Sequence, residues 1–198
     1  MAFRGKYLLW ALLAVPALLF LRTYLTTDGW PGDLLRPTGE FSARFIIFAL
    51  MLTPLSIAFR GQRWIRWLVG NRRAFGVAAF GYALLHVLFY VLDMETVSSM
   101  LAELGALGIW TGWAAFLLML PLAITSNQAS MRALKSGWKR LQRLAYPAAL
   151  LTLVHWMFVH DNMTAALANF APLAALQLYR ITCRARTHSW RGHRSATT

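Results

Sequence analysis

Residues 72–93 read RRAFGVAAFGYALLHVLFYVLD, a stretch that is basic at its start, acidic at its end and apolar almost throughout. A helix crosses the hydrocarbon core of a bilayer in about 20 residues, because each residue rises about 1.5 Å and the core is about 30 Å thick. The stretch therefore predicts a membrane-spanning helix. Its one interior ionisable residue is His86, and ionisable side chains at such depth indicate function because burying them is costly.

Five further stretches have a similar character, and the composition of the whole chain agrees with them. Of the 198 residues, 58% are hydrophobic and 14% are charged, whereas about 25% of a soluble domain is charged. We predict an all-α membrane protein with six transmembrane helices, at residues 7–25, 41–59, 74–92, 108–125, 144–160 and 164–181. In this prediction residues 1–182 form one transmembrane domain, and residues 183–198 form a basic, disordered cytoplasmic tail.

The charged residues predict the orientation, because Lys and Arg resist translocation across the membrane. With a cytoplasmic N-terminus, the inner side receives all of the 20 Lys and Arg residues except Arg22, Arg36 and Arg44. All seven acids fall outside, including Glu40 just before the second span. Both termini are therefore predicted to be cytoplasmic. The net charge of +13 then reflects topology and attraction to anionic lipids, and it does not indicate a nucleic-acid partner.

His86 and His155 lie well inside two predicted spans that run in the same direction. Counted from the inner ends of those spans, both imidazoles lie at a depth of roughly 17 to 18 Å. Two histidines at matched depth suit a haem iron, which takes one nitrogen ligand on each face of the macrocycle. Two alternatives fit the spacing as well: hydrogen bonds that bridge neighbouring helices, and a different metal. No Asp, Glu or Lys is predicted at a helix centre, which argues against a proton-coupled transporter.

Several motifs resemble those of a known family. They are the stretch at 72–93, TPL at 53–55, LAITS at 122–126, and W-x-x-L-x-x-L-x-Y at 138–146 followed by His155. From about residue 38 to residue 155, the chain is similar to the MsrQ family, formerly YedZ. These are haem-binding membrane subunits of the bacterial periplasmic methionine sulfoxide reductase system, within the ferric-reductase-like transmembrane superfamily.

The resemblance implies a b-type haem protein of the bacterial inner membrane that passes electrons to a periplasmic molybdopterin-dependent reductase. In it, His86 and His155 match haem-ligating positions. Two features depart from the family pattern. The family typically has a histidine where this chain has Gln142, so a second haem near the inner surface is not expected. The R-P-Y-I element often found before the fourth helix is absent, and residues 101–110 read LAELGALGIW.

Three other residues are candidates for cofactor contacts. Arg72 and Arg73 suit haem propionates or a flavin phosphate, although a topology role accounts for them as well. His160 follows His155 by five residues, about 140° around a helix. It is a candidate metal or quinone contact near the outer surface, with a solvated interfacial histidine as the alternative.

The electron donor must be a separate molecule. No G-x-G-x-x-G motif occurs, and the inner loops at 60–73 and 126–143 are too short for a flavin or nicotinamide domain. A membrane quinol and a cytoplasmic flavin reductase are both compatible with the family, so FMN and a quinone are candidate cofactors besides haem b. The single cysteine, Cys183, excludes a C-x-x-C-H site for covalent haem attachment.

We predict an electron-transfer membrane subunit of a two-component reductase. No Ser/His/Asp constellation and no pair of carboxylates at depth is visible, so the substrate site is expected on the partner. One alternative is a stand-alone ferric-reductase-like or quinol-oxidising cytochrome b. A second is a non-redox structural or transport membrane protein whose histidines bridge helices.

Overall fold

The structure is a computed structural model that describes residues 2–27, 29–159 and 163–195, and most of these residues are helical. The helices are α1 (Ala2–Thr26), α2 (Pro31–Ala58), α3 (Arg63–Gly70), α4 (Arg72–Met94), α5 (Val97–Glu103), α6 (Leu107–Ile124), α7 (Gln128–Leu134), α8 (Ser136–Leu141), α9 (Ala145–Val159) and α10 (Met163–Ser195). A 3-10 turn, Gln142–Leu144, joins α8 to α9. The described ranges contain no strand, so the predicted all-α class is confirmed.

Four of the six predicted spans correspond to helices that could cross a membrane. Among the described residues, these are Gly5–Thr26, Pro31–Ala58, Arg72–Met94 and Leu107–Ile124, which are long and apolar enough. The helix at the fifth predicted span, α9, has 15 residues, fewer than the roughly 20 that a crossing takes. The helix at the sixth predicted span is α10. Its first five turns include the polar side chains of Asn169, Gln177 and Arg180. Six spans and cytoplasmic termini therefore stay predictions.

Two helix boundaries differ from the sequence prediction. α2 begins at Pro31, ten residues before the predicted second span, and Glu40 therefore lies within the helix. α10 continues to Ser195, through most of the predicted disordered tail. Apolar composition marks the part of a helix that lipid can surround. The backbone hydrogen bonds that define a helix extend further, because adding a residue to an existing helix carries no nucleation cost.

Four helices form the core of the bundle as two packed pairs. α2 packs along α4, α6 packs along α9, and α4 also contacts α6. Small residues such as Ala79 and Ala148 are fully buried in this core, and small side chains let helix backbones come near one another. The Ser42 hydroxyl donates a hydrogen bond to the Ala79 carbonyl at 2.9 Å and joins α2 to α4.

The outer helix α1 is tied to the core beside a proline. Next to Pro16, the Tyr82 hydroxyl of α4 accepts a hydrogen bond from the Ala17 N–H and donates one to the Leu13 carbonyl, both at 2.9 Å. These two backbone groups would bond to each other in a regular helix. The hydroxyl is thus inserted into the hydrogen-bond ladder of α1, a recognised cause of helix bending.

The other outer helix, α10, packs against α2 and α9. Pro54 in α2 has no N–H to donate to the Leu50 carbonyl. The Gln177 amide of α10 donates to that carbonyl instead, at 3.3 Å. A carbonyl released by proline within a membrane helix is therefore satisfied by a neighbouring helix.

Candidate functional site

The structure brings the two predicted histidines together at partly buried positions between the helices. His86 lies on α4 and His155 on α9, and their ring centroids are 5.9 Å apart with the ring planes at 82°. A metal–imidazole bond is about 2 Å long. Two imidazoles on opposite sides of one metal ion therefore have their bound nitrogens about 4 Å apart and their ring centroids somewhat further. The observed separation fits a shared metal.

Each imidazole is oriented by a backbone carbonyl of the neighbouring helix. His86 Nδ1 lies 2.9 Å from the Leu35 oxygen of α2, and His155 Nδ1 lies 2.6 Å from the Gly108 oxygen of α6. A carbonyl oxygen only accepts, so both Nδ1 atoms carry the proton and donate it. In this tautomer Nε2 has the lone pair that binds a metal. Histidine ligands in metalloproteins are commonly held in this way through their second nitrogen.

A glycine lies one helical turn after each of these carbonyls. A Cβ atom at Gly39 would lie 3.1 Å from His86 Nδ1, and a Cβ atom at Gly112 would lie 2.6 Å from His155 Nδ1. Both imidazoles therefore pack directly against a helix backbone, where any side chain would displace them. The sequence prediction did not include these glycines, because their role depends on which helix faces which histidine.

A cavity of about 90 Å³ surrounds the histidine pair. We call it the histidine cavity. It lies between α2, α4, α6 and α9, and its wall is mainly apolar and aromatic. Besides the histidines and glycines, its lining is Glu40, Ser42, Ala43, Ala83, Val87, Tyr90, Ile109, Trp113, Ala115, Phe116, Met119, Thr152 and Trp156.

Glu40 is a residue of this cavity that the sequence prediction assigned to the outer side, before the second span. It is held by two arginines of the same helix: Arg36 Nε lies 3.0 Å from Oε1, and Arg44 Nη2 lies 2.7 Å from Oε2. The repeat of opposite charges at four-residue spacing is visible in the sequence, and it is typical of ion pairs along one helix face. It would have indicated that α2 begins before residue 41.

A second cavity, of about 250 Å³, lies nearer the start of α4. We call it the basic cavity, because five cationic side chains line it: Arg72, Arg73, Lys139, Arg143 and Arg180. Trp138, Gln142 and Tyr146 also contribute to the wall, and Met119 lines both cavities. The structure thus brings Arg72 and Arg73 into a shared site and adds three cations that the prediction did not include.

Gln142 forms part of the basic cavity but has a structural hydrogen-bond role. Its Nε2 lies 3.2 Å from the Leu122 oxygen and 3.3 Å from Thr125 Oγ1, so it joins the 3-10 turn to the end of α6. An amide nitrogen that donates in this way has no lone pair to offer a metal. The histidines whose side chains the structure describes are His86 and His155, and neither lines this cavity. His160 lies outside the described residues.

The chain matches known proteins over most of its length. Residues 38–153 match the family model described as "Ferric reductase like transmembrane component". A protein of Xanthomonas euvesicatoria pv. vesicatoria is 37% identical over 148 residues, 73% of this chain and 66% of that protein. One of Xanthomonas oryzae pv. oryzae is 36% identical over 163 residues, 80% of this chain and 73% of that protein. One of Rhizobium meliloti is 36% identical over 141 residues, 67% of this chain and 63% of that protein.

All three relatives carry the name "Protein-methionine-sulfoxide reductase heme-binding subunit MsrQ". The apolar helices and the facing imidazoles define the class as a multi-pass helical membrane protein with a cavity lined by two histidines. The chain belongs to the ferric reductase like transmembrane component family and, within it, to the MsrQ family.

Proposed function

We propose that this chain is a membrane electron-transfer subunit that binds haem b between His86 and His155. The observation that carries the proposal is the pair of facing imidazoles, each fixed by a carbonyl so that Nε2 is the metal-binding nitrogen. The relatives' printed name supports the same cofactor. When bound, a haem supplies one-electron redox chemistry.

The set of available ligands favours a haem over a lone metal ion. The described residues contain no group of three or more His, Cys, Asp or Glu side chains suited to a metal ion. Two imidazoles leave a protein-bound zinc short of the four ligands that it takes, whereas a porphyrin brings its own in-plane nitrogens. Cys183 is the one cysteine of the chain, which supports non-covalent haem b over covalent attachment.

The residues of the histidine cavity would orient the haem and exclude water. Carbonyls of Leu35 and Gly108 fix the tautomer of the two ligands, and Gly39 and Gly112 leave space for their rings. The aromatic and aliphatic wall provides the apolar surface that a macrocycle packs against. The alternative in which the histidines merely bridge helices explains the two carbonyl bonds, but it does not explain why the two imidazoles face each other in a cavity with a mainly apolar and aromatic wall.

The basic cavity is our proposed entry point for electrons. Its cations, Arg72 and Arg73 among them, suit the phosphate of FMN. The aromatic rings of Trp138 and Tyr146 suit the planar flavin ring of the same cofactor. Because Met119 lines both cavities, a donor bound there lies close to the histidine cavity. The cationic surface also suits the docking of an acidic flavin reductase. A membrane quinol is the second candidate donor.

For topology we propose six crossings, with both termini in the cytoplasm of a bacterium and the protein in the inner membrane. The distribution of Lys and Arg supports this orientation. α9 and α10 would provide the fifth and sixth crossings, packed against the other helices, and α10 would extend into the cytoplasm. The basic cavity then faces the cytoplasm and the histidine cavity lies nearer the periplasm.

We propose that the electron acceptor is a periplasmic molybdopterin-dependent methionine sulfoxide reductase, which would contain the substrate site. The relatives' name supports a role as a subunit of that system. Co-purification with a periplasmic molybdoprotein tests this step. A chain that reduces ferric iron or oxidises quinol with no such partner would instead support the stand-alone cytochrome b.

Haem binding is tested by a reduced-minus-oxidised absorption spectrum and a pyridine haemochrome count on the purified protein. We expect a low-spin b-type spectrum with one haem per chain, and loss of that spectrum in His86→Ala and in His155→Ala. His188→Ala, in the C-terminal part of the chain, is the matched control and should keep the haem. Wild-type protein without haem after haem-replete expression would refute the electron-transfer function.

A further inference from the structure

Glu40 has no role in the proposed function so far, although it lines the histidine cavity. Among the lining residues that the structure describes, it is the one with a charged side chain. It directly follows Gly39, whose backbone contacts the His86 ring. The carboxylate therefore lines the same cavity as the histidine pair, and it is partly buried, so that charges interact more strongly there than in open solvent.

Two arginines hold this carboxylate with charge-assisted hydrogen bonds, one helical turn to either side. The Glu40 side chain is 16% exposed, whereas the side chains of Arg36 and Arg44 are 63% and 48% exposed. The positive charges thus extend away from the core and the negative charge lies against the cavity. An acceptor site between the histidines would experience the anion more strongly than the two cations.

We propose that the Glu40 carboxylate lowers the reduction potential of the haem held by His86 and His155. The inference rests on the proposed function, because it requires a haem between these residues. Reduction adds one electron to the site, and a nearby fixed anion opposes the added negative charge. Charge near a haem and its burial are recognised determinants of its potential. A lower potential favours passing the electron on to an acceptor.

A purely structural role for Glu40 makes a different prediction. Arg44 Nε also lies 3.5 Å from Asn169 Oδ1, so the ion pairs connect α2 to α10. If bundle stability were their only function, removal of the charge would lower the melting temperature and leave the potential of the retained haem unchanged. The potential is therefore the measurement that separates the two roles.

The experiment is a spectroelectrochemical titration of the full-length haem-loaded protein and four variants. Glu40→Gln should raise the potential, with about a tenfold shift in the ratio of reduced to oxidised haem, or about 59 mV for one electron. Arg44→Gln should lower the potential, and Glu40→Asp, which keeps a carboxylate, should have the wild-type potential. Asp33→Asn is the matched control, because it removes the same charge from an exposed position at the start of α2. It should shift the ratio less than twofold.

An unchanged or lower potential in Glu40→Gln, with haem content and absorption maxima retained, would overturn the proposal. If Glu40→Gln does not retain haem, the reduction potential of Arg44→Gln tests the proposal instead. A potential in Arg44→Gln that is not lower than that of the wild type refutes the inference. Absence of haem from the wild-type protein is a separate result, because it refutes the proposed function itself. Equal shifts in Glu40→Gln and Asp33→Asn would show a general charge effect and would also overturn the specific role of Glu40.

Discussion

The histidine cavity and the basic cavity lie in one helix bundle and share Met119, yet their walls have different chemistry. The first has two oriented imidazoles, an apolar wall and one carboxylate. The second has five cations and, among the described residues that line it, neither a histidine nor an acid. The comparison shows that the paired imidazoles and the cluster of cations are separated along the helices. An electron carrier needs such a separation, because its donor and its redox centre occupy different places.

Gln142 illustrates the difference between the two cavities. At the position where the MsrQ family typically has a histidine, this chain has an amide whose nitrogen is bonded to the end of α6. The imidazoles of the first cavity, in contrast, are each oriented by one ring nitrogen that contacts a backbone carbonyl, and in our proposal the other ring nitrogen binds the haem iron. An imidazole has two ring nitrogens, so it can donate a hydrogen bond with one and bind a metal with the other. A single amide nitrogen cannot fill both roles.

The largest effect is expected from filling the space beside an imidazole. Gly112→Ala places a Cβ atom 2.6 Å from His155 Nδ1 and must displace the ring, whereas Gly39→Ala places one 3.1 Å from His86 Nδ1. Overpacking of this kind costs about 1–3 kcal/mol, so Gly112→Ala should lose most of its haem and Gly39→Ala a smaller fraction. The haem-to-protein ratio measures both. Gly81→Ala, which meets no atom within 4 Å, should keep full haem content, and equal losses in all three variants would contradict the packing argument.

A smaller effect is expected from removing one cation of the basic cavity. Arg143→Gln deletes a charged donor from the wall, and hydrogen bonds to charged groups are worth about 1.5–3 kcal/mol. The dissociation constant for FMN, followed by flavin fluorescence, should rise about tenfold, while haem content stays unchanged. Arg132→Gln removes the same charge from an exposed site in α7 and should not alter FMN affinity. Equal affinity in wild type and Arg143→Gln would rule out the flavin site.

The smallest effect is expected from giving the basic cavity an imidazole. Gln142→His should leave the haem count at one per chain, because no described histidine faces this position from another helix. Loss of the amide bonds to α6 should lower the free energy of unfolding by about 1 kcal/mol, which a thermal melt can detect. Gln62→His, at an exposed position before α3, should change neither quantity. A second low-spin haem in Gln142→His would show that another ligand reaches the cavity.

Several elements of the fold and site were predictable from the sequence because they depend on local properties. The apolar stretch around His86 predicts a buried helix without any knowledge of its neighbours. Four of the predicted spans match helices that are long and apolar enough to cross a membrane. The sequence predicted equal depth for His86 and His155 from helical rise, and the structure brings their rings within 5.9 Å of each other. The start of α2 was predicted too late, because the run of apolar residues begins after Glu40 while the helix begins at Pro31.

Other elements could not be read from the chain alone. Gly39 and Gly112 matter because each faces an imidazole of a different helix, and helix rotation is set by packing. The basic cavity gathers cations from three separate stretches of sequence, at Arg72, Lys139 and Arg180. The sequence showed that these residues are positively charged, but it did not show that they line one cavity.

The sequence by itself determined that the chain forms apolar helices, and it predicted two histidines at one depth. Both follow from local quantities, because the length of an apolar stretch, the rise per residue and the cost of burying a histidine do not depend on the neighbouring helices. Only the tertiary structure decided which side chains share a cavity. It put Glu40 in the lining of the histidine cavity and the Gln142 amide at the end of α6. Those outcomes depend on how each helix is turned toward its neighbours, which close packing of the whole bundle fixes.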